Sequence, residues 1–404
     1  MTAFPPVPAK PASALATPRH LERFLCLDDF EAVARRRLPR QIYGYYSGAA
    51  ETNRSLRANR ESYAALALLP RVLVDTRARS TAASLFRTSF SLPVGIAPMG
   101  LSALSSFRGD IVLARAAAAE DALMVASATS LTPLETMAAT GGARWFQAYL
   151  PGDRARIAAM LRRVGAAGFE TIVLTADVQV PANRENNARS GFSMPLRPTP
   201  RLFWDGALHP RWSLGTFLRT LARGMPHFEN MDAFRGPAIL SRSAERNIGT
   251  RDGLCWEHVA FMRDHWKGRL VIKGILSPAD VALARAAGID GVWLSNHGGR
   301  QLDSAIAPLL MLPEARREAG QMAVLIDGGV RRGTDVLKAL ALGADFVFVG
   351  RPFLYASVAA GTSGVRHALR LVRAEIARDM AMLGVNTLGE LSPAHIRHFA
   401  PAAP

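Results

Sequence analysis

"AVLIDGGVRRGTDVLKALALGADFVFVGR", residues 323–351, contains one whole structural unit. An apolar run ends in Asp-Gly-Gly, a stretch of helical period follows, and a second apolar run ends in Gly-Arg. Buried strand, turn, amphipathic helix and buried strand in that order spell a parallel βαβ unit. The same grammar recurs upstream, with strand-like runs at 93–98 (PVGIAP), 123–127 (LMVAS), 145–149 (WFQAY), 171–177 (TIVLTAD), 269–274 (RLVIKG) and 291–296 (GVWLSN), then 323–329 and 346–351. Eight strands alternating with stretches such as "SPADVALARAAG" predict an α/β fold, a (β/α)8 TIM barrel rather than an open sheet. Function in such a barrel sits at the C-terminal strand ends, so the polar residues that close each run are the ones to examine.

One connection breaks the rhythm. Residues 178–268 hold no clear strand, too long for an ordinary loop, so a long insertion follows strand 4. Within it, residues 189–246 carry nine arginines against four acids, and "RWSLGTFLRTLARG" spaces Trp212, Leu214, Phe217, Leu218 and Leu221 near helical period. Such a segment suits either an anionic membrane surface or a lid over the barrel mouth. Before the barrel, residues 27–70 read as two or three helices that cap the barrel's bottom or reach its site. Residues 1–26 read as a disordered tail, because the first nineteen hold five prolines and no acid.

The 404 residues carry a net charge of +16 from an unusual basic set, four lysines beside forty-five arginines. That balance attracts anions, but no nucleic-acid module interleaves aromatic and basic residues, so nucleic acid is not an expected partner. Two cysteines cannot build a disulfide framework, and no apolar run is long enough to span a bilayer. The chain has no G-x-G, no Walker loop, no HExxH and no paired CxxC, which sets aside Rossmann dinucleotide binding, P-loop chemistry and a metal site.

The strand ends remain. Lys273 closes the fifth run, where an ammonium would form a Schiff base or steady an anion, unless it is simply ion-paired. Gly328, Gly329 and Arg331 after the seventh strand, with Gly350 and Arg351 after the eighth, make an anion cradle where barrels often hold phosphate. His297, inside "LSNHGGRQLD" at 294–303, is a general-base candidate, and Asp177 would pair with its imidazolium. Arg184 and Arg300 are planar forks suited to a carboxylate.

Taken together, "SNHGGRQLD", "LPRQIYGYYSGAA", "WFQAY", "LTADV", "VIKGI", "DGGVRRGTDVLKALALGAD" and "GRPFLYA" resemble the FMN-dependent 2-hydroxy acid dehydrogenases and oxidases, from about Leu27 to Ile396. The resemblance implies one catalytic domain over residues 27–400, with the barrel at about 92–385 and the insertion at 185–250. It implies FMN as cofactor and oxidation of an L-2-hydroxy acid, lactate- or mandelate-like, to the 2-oxo acid. Electrons would pass to an external acceptor such as quinone; the alternative is an oxidase that gives them to oxygen and makes hydrogen peroxide. His297 would take the 2-hydroxyl proton as hydride leaves, or the α-proton in a carbanion route, with Asp177 behind it. Arg184 and Arg300 would hold the carboxylate, with Tyr45 and Tyr149 adding hydroxyls. Ala97, Pro98, Met99, Ser127, Gln147, Thr175, Lys273 and Ser295 would contact the flavin ring, and Asp327, Gly328, Gly329, Arg331, Gly350 and Arg351 its ribityl phosphate. Gly100, where such oxidases often carry alanine, inclines the reading to a dehydrogenase, and Thr129 and Pro181 to a pocket larger than glycolate needs. The family further implies a homotetramer in the cytoplasm, peripheral on the inner face of the cell membrane through residues 189–246.

Overall fold

Each of the eight runs is a strand because it is rich in β-branched and aromatic residues and is walled in on both faces. The computed structural model describes residues 18–197, 199–243 and 251–399. Its strands are β1 (Val94–Ile96), β2 (Met124–Ser127), β3 (Ala143–Ala148), β4 (Thr171–Thr175), β5 (Arg269–Ile275), β6 (Gly291–Leu294), β7 (Ala323–Asp327) and β8 (Phe346–Val349). They pair in parallel in chain order, and β8 closes on β1 with Val347 opposite Val94, giving the eight-stranded barrel the sequence predicts. Along β5 the ladder to β6 shifts register between Lys273 and Ile275, a bulge that re-aims the strand's last residues.

The barrel interior is packed with Val125, Trp145, Val173, Val271, Trp293, Leu325, Phe346 and Phe348. Trp293 and Phe348 stack with ring centroids 3.9 Å apart. An antiparallel hairpin, Ala83–Leu85 with Thr88–Phe90, sets Leu85 and Phe90 into that cluster from the N-terminal end of the strands. The barrel core is therefore plugged at the bottom, and the opposite mouth opens into a cavity.

Three helices precede the barrel, α1 (Asp29–Arg37), α2 (Arg40–Ser47) and α3 (Arg54–Ala64), and they reach the C-terminal mouth rather than the bottom. Ala50 N–H donates to the Gly299 carbonyl at 2.9 Å, and Asn59 and Asn296 exchange amide hydrogen bonds at 2.8 and 2.7 Å. Gly329 makes this approach feasible, since a Cβ there would stand 2.2 Å from the Asn59 carbonyl oxygen. The tail assigned to residues 1–26 needs correction at its end: Leu21 is fully buried, and Phe24 is stacked on Phe30 at 4.4 Å. Residues 1–17 lie outside the described residues.

The insertion is helical. After Glu185–Ser190 comes Pro200–Leu208, then a rod made of Pro210–Trp212, Ser213–Leu218 in π-helical form, and Arg219–Leu221. Trp212 pins the rod by donating its indole N–H to the Leu104 carbonyl at 2.7 Å. Its last stretch, 244–250, lies outside the described residues.

Candidate active site

A cavity of about 570 Å³ opens at the C-terminal mouth. Tyr45, Ala97, Pro98, Met99, Tyr149, Arg184, Lys273, His297, Arg300, Asp327, Gly328, Gly329, Arg331, Gly350 and Arg351 line it. The remaining sequence-selected residues, Asp177, Ser127, Gln147, Thr175 and Ser295, are buried directly behind that lining or bonded to it. One locus thus gathers all of them.

The 297–299 turn explains why polar and glycine residues crowd "SNHGGR". His297, Gly298 and Gly299 take φ values of +57, +64 and +77, so the chain turns left-handed for three residues and presents the imidazole to the cavity. A left-handed backbone is rare for a residue with a Cβ, and here neighbours fix it. The Ser295 hydroxyl accepts from the His297 N–H at 3.0 Å and from the Lys273 ammonium at 2.8 Å, while it donates to Asp327 at 2.6 Å. Lys273 also pairs with Asp327 at 3.3 Å. Base, lysine and acid are therefore braced on a single hydroxyl.

His297 Nδ1 lies 2.9 Å from Asp177 Oδ1. Burial holds the His297 imidazole below its ordinary value of 6.5, and the attraction of Asp177 only partly opposes this. For Asp177 burial pulls the carboxyl up, but the imidazole, the hydrogen bond and Lys273 outweigh it and leave the carboxyl below its usual range. The pair is a neutral base with an ionised partner that fixes Nδ1 as the protonated nitrogen and leaves Nε2 as the accepting one.

Arg184 donates from Nε to the Arg300 carbonyl at 3.0 Å and from Nη2 to Gln301 Oε1 at 2.6 Å. Arg300 spends Nη1 on the Tyr45 and Gly48 carbonyls, at 2.7 and 2.8 Å, and its guanidinium lies 4.9 Å from the Tyr45 ring centre. Burial and then Arg300 bring Arg184 down to about 10, so two guanidinium groups are crowded with too little negative charge between them. Tyr149 is pushed up by burial and by Asp177, which keeps its phenol a hydrogen-bond donor. The wall facing these groups is apolar: Val180, Phe192, Met194, Phe228 and Met231, with Thr129.

Deeper in, the cradle after β7 and β8 holds Arg351 and Arg331. Arg351 donates to the Tyr46, Gly48 and Gly298 carbonyls, and burial, then Arg300, lowers it to about 10. Arg331 is paired with Asp28 at 3.1 Å. Gly328 and Gly329 expose backbone at φ +100 and +89. Above the packed interior, Gln147 Nε2 and Thr175 Oγ1 are buried without a hydrogen-bond partner. A buried unpaired polar atom costs about 1–3 kcal/mol, and these two, near the C-terminal ends of β3 and β4, are groups that a polar ring system bound at the mouth would satisfy. Anion cradle, orphaned polar atoms and a fixed ammonium fit an FMN.

Sequence reasoning missed Gln301 as the link between Arg184 and Asp177, whose carbonyl accepts from Gln301 Nε2 at 3.1 Å. Its place in "GGRQLD", directly after a clamp arginine, was the available signal. The lid reading placed the insertion over the mouth, but not the residues that form the wall. Asn230, fully buried, accepts from Leu134 N–H at 2.8 Å and donates to the Thr132 carbonyl at 2.8 Å, which carries Phe228 and Met231 to the cavity. No local pattern announces that contact.

A barrel with a braced imidazole, a guanidinium clamp and a phosphate cradle over orphaned polar atoms defines a flavin-type oxidoreductase class. Residues 34–398 match the FMN-dependent dehydrogenase family, and the chain belongs to it. It is 38% identical over 369 residues to an L-lactate dehydrogenase of Pseudomonas aeruginosa, covering 90% of this chain and 96% of that one. It is 37% identical over 373 residues to an (S)-mandelate dehydrogenase of Pseudomonas putida, covering 92% and 93%. Among solved structures, a monotopic membrane protein (S)-mandelate dehydrogenase superposes with a TM-score of 0.85 at 35% identity, covering 93% of this chain and all (100%) of that one. A mandelate oxidase superposes at 0.78 with 33% identity, covering 93% and 100%.

Proposed function

We propose that the protein oxidises an L-2-hydroxy acid with an apolar side chain, lactate- or mandelate-like, to the 2-oxo acid, with FMN bound at the mouth and electrons passed to an external acceptor such as quinone. The observation that carries this is the His297–Asp177 pair at 2.9 Å beside two crowded guanidinium groups in one cavity. Arg184 and Arg300 bind the substrate carboxylate, which relieves their mutual repulsion. Tyr45 and Tyr149 orient the substrate by hydrogen bonds. His297 Nε2 takes a proton from it, and Asp177 stabilises the imidazolium that results. Phe192, Met194, Phe228, Met231 and Thr129 receive the side chain and exclude water. Gln147, Thr175, Ser127, Lys273, Ser295 and the 97–99 backbone would hold the isoalloxazine, and Asp327, Gly328, Gly329, Arg331, Gly350 and Arg351 the ribityl phosphate. Bound there, FMN supplies the two-electron acceptor that a carbon–hydrogen bond oxidation requires.

The test is anaerobic bleaching of the yellow holoprotein by lactate, mandelate, glycolate and longer 2-hydroxy acids. Bleaching by lactate or mandelate is expected; none by any acid overturns the reading. The oxidase reading is favoured by the likeness to a mandelate oxidase. Gly100, where related oxidases often carry alanine, supports the dehydrogenase reading; a Cβ there would stand 2.1 Å from Thr129 Oγ1, so alanine would require Thr129 to shift. Slow return of colour in air fits the dehydrogenase, and fast return with peroxide fits the oxidase.

We further propose peripheral attachment to the cytoplasmic membrane face through the insertion, supported by exposed Phe203 and Trp204, 68% and 70% accessible, among Arg201, Arg211, Arg219 and Arg223. No helix among the described residues is long and apolar enough to cross a membrane. The homotetramer rests on family likeness, and sedimentation of the holoprotein tests it.

A further inference from the structure

We propose that Gly274 is a positioning residue for the acid–base pair: the side chain it lacks is the space in which the Asp177 carboxylate sits. This rests on the acid–base reading above. Gly274 occupies the bulge of β5 with φ +102. A Cβ built on it would stand 2.5 Å from Asp177 Cβ and 2.7 Å from its Cγ. Those are distances real carbon atoms do not tolerate, and the obstacle is not the far end of a flexible chain.

Moving either backbone aside strains a hydrogen bond. Ala176 N–H donates to the Lys273 carbonyl at 2.9 Å, and the Asp177 carbonyl accepts from Gln301 Nε2 at 3.1 Å. The two strand ends are thus tied together on either side of the contact. A methyl group at 274 meets Asp177 Cβ, Cγ and N at 2.5, 2.7 and 3.0 Å, so turning the side chain alone does not relieve it: the whole of Asp177 is displaced, and that displacement breaks the 2.9 Å contact with His297. Beyond its own backbone N–H and the attraction of Lys273 the carboxylate has little else to aim it, since its Oδ2 is buried without a hydrogen-bond partner among the described residues. Its aim is set by shape.

Gly274→Ala in the FMN-loaded protein is the test. A drop in kcat of about 100-fold, the scale of a general base losing its support, is expected with KM little changed. FMN affinity stays as in the parent, and the His297 titration, read by NMR of carbon-13-labelled histidine, moves to lower pH because Asp177 no longer raises it. Placed in an Asp177→Asn background, the same substitution adds no further loss in kcat. Backbone strain at a positive φ acts on folding in both backgrounds alike, whereas the catalytic loss requires the charged carboxylate. An additive loss, or an unmoved histidine titration, overturns the proposal. Unchanged turnover in both Asp177→Asn and His297→Asn overturns the acid–base reading itself, a distinguishable result. If Gly274→Ala does not fold, the exchange Asp177→Gly with Gly274→Ala decides: recovery of a cooperative melt supports the overlap with Asp177, and continued failure to fold refutes it.

Discussion

In its proposed role as base, His297 is subject to two opposed effects, and their balance fixes how activity would depend on pH. Burial lowers the imidazole from 6.5 and Asp177 partly restores it. Because the base must be neutral, the acid limb of kcat/KM is expected below the ordinary imidazole range, so turnover persists as pH falls through 6.5 and is lost only further down. Asp177→Asn removes the restoring charge: the limb moves lower still while kcat falls about 100-fold, and a pH series on both proteins measures it. A limb above 6.5 in the parent contradicts this. Arg184 supports a second prediction, since its Nε and Nη2 are committed to the Arg300 carbonyl and Gln301. Arg184→Lys cannot make both bonds and also face a carboxylate, and a charged hydrogen bond contributes about 1.5–3 kcal/mol, so KM is expected to rise roughly 10- to 100-fold. At this scale the site was legible where a polar residue ended a buried run, as at Asp177, Lys273 and Ser295. Gln301 and the insertion's Phe228 were not, because tertiary contacts, and not local pattern, decide where they point.

Elements inherit that division. The barrel strands were readable because each is a short apolar run buried on both faces, while the hairpin Ala83–Leu85 with Thr88–Phe90 and the pair Leu66–Leu68 with Ile396–His398 were not. Three residues are too few to show alternation, and the second pair joins segments far apart in sequence. Residues 18–26 mix four charged or polar residues with a few apolar ones, of which Leu21 and Phe24 supply the buried contact while Leu25 stays exposed, with His367 Nε2 3.0 Å from the Phe24 carbonyl oxygen. The insertion depends on an equally small fastening. Asn230 bonds both Leu134 N–H and the Thr132 carbonyl; Asn230→Ala leaves the buried Leu134 N–H unpaired, at about 1–3 kcal/mol, while the Thr132 carbonyl keeps its bond from Ser130 Oγ. Denaturant melts should report that loss. A larger effect on KM for bulky acids than for glycolate is expected too, because Phe228 and Met231 are the wall that loosens.

At the scale of the whole molecule, the insertion lines the candidate cavity with one set of residues and exposes apolar side chains to solvent with another. Phe203, Trp204, Leu208, Leu214 and Leu218 are each at least half exposed, and the same segment carries exposed arginines 201, 211, 219 and 223, the last two with their guanidinium groups over the Phe107 ring. Scattered apolar residues need no explanation, but a patch of this composition beside cations matches an interfacial helix that sinks its apolar side to the depth of the headgroups. Because Trp212 and Asn230 hold the insertion to the barrel from the opposite side, the exposed residues can be changed without touching the site. Trp204→Ser combined with Leu214→Ser is therefore expected to abolish co-sedimentation with vesicles containing anionic phosphatidylglycerol, with turnover toward a soluble dye acceptor unchanged. Each arginine near the surface contributes about 1 kcal/mol of attraction, so binding of the parent should weaken steeply between low and physiological salt. Vesicle binding that survives the double substitution would place the attachment elsewhere on this strongly basic chain. Turnover lost along with binding would show instead that the patch belongs to the fold of the cavity wall.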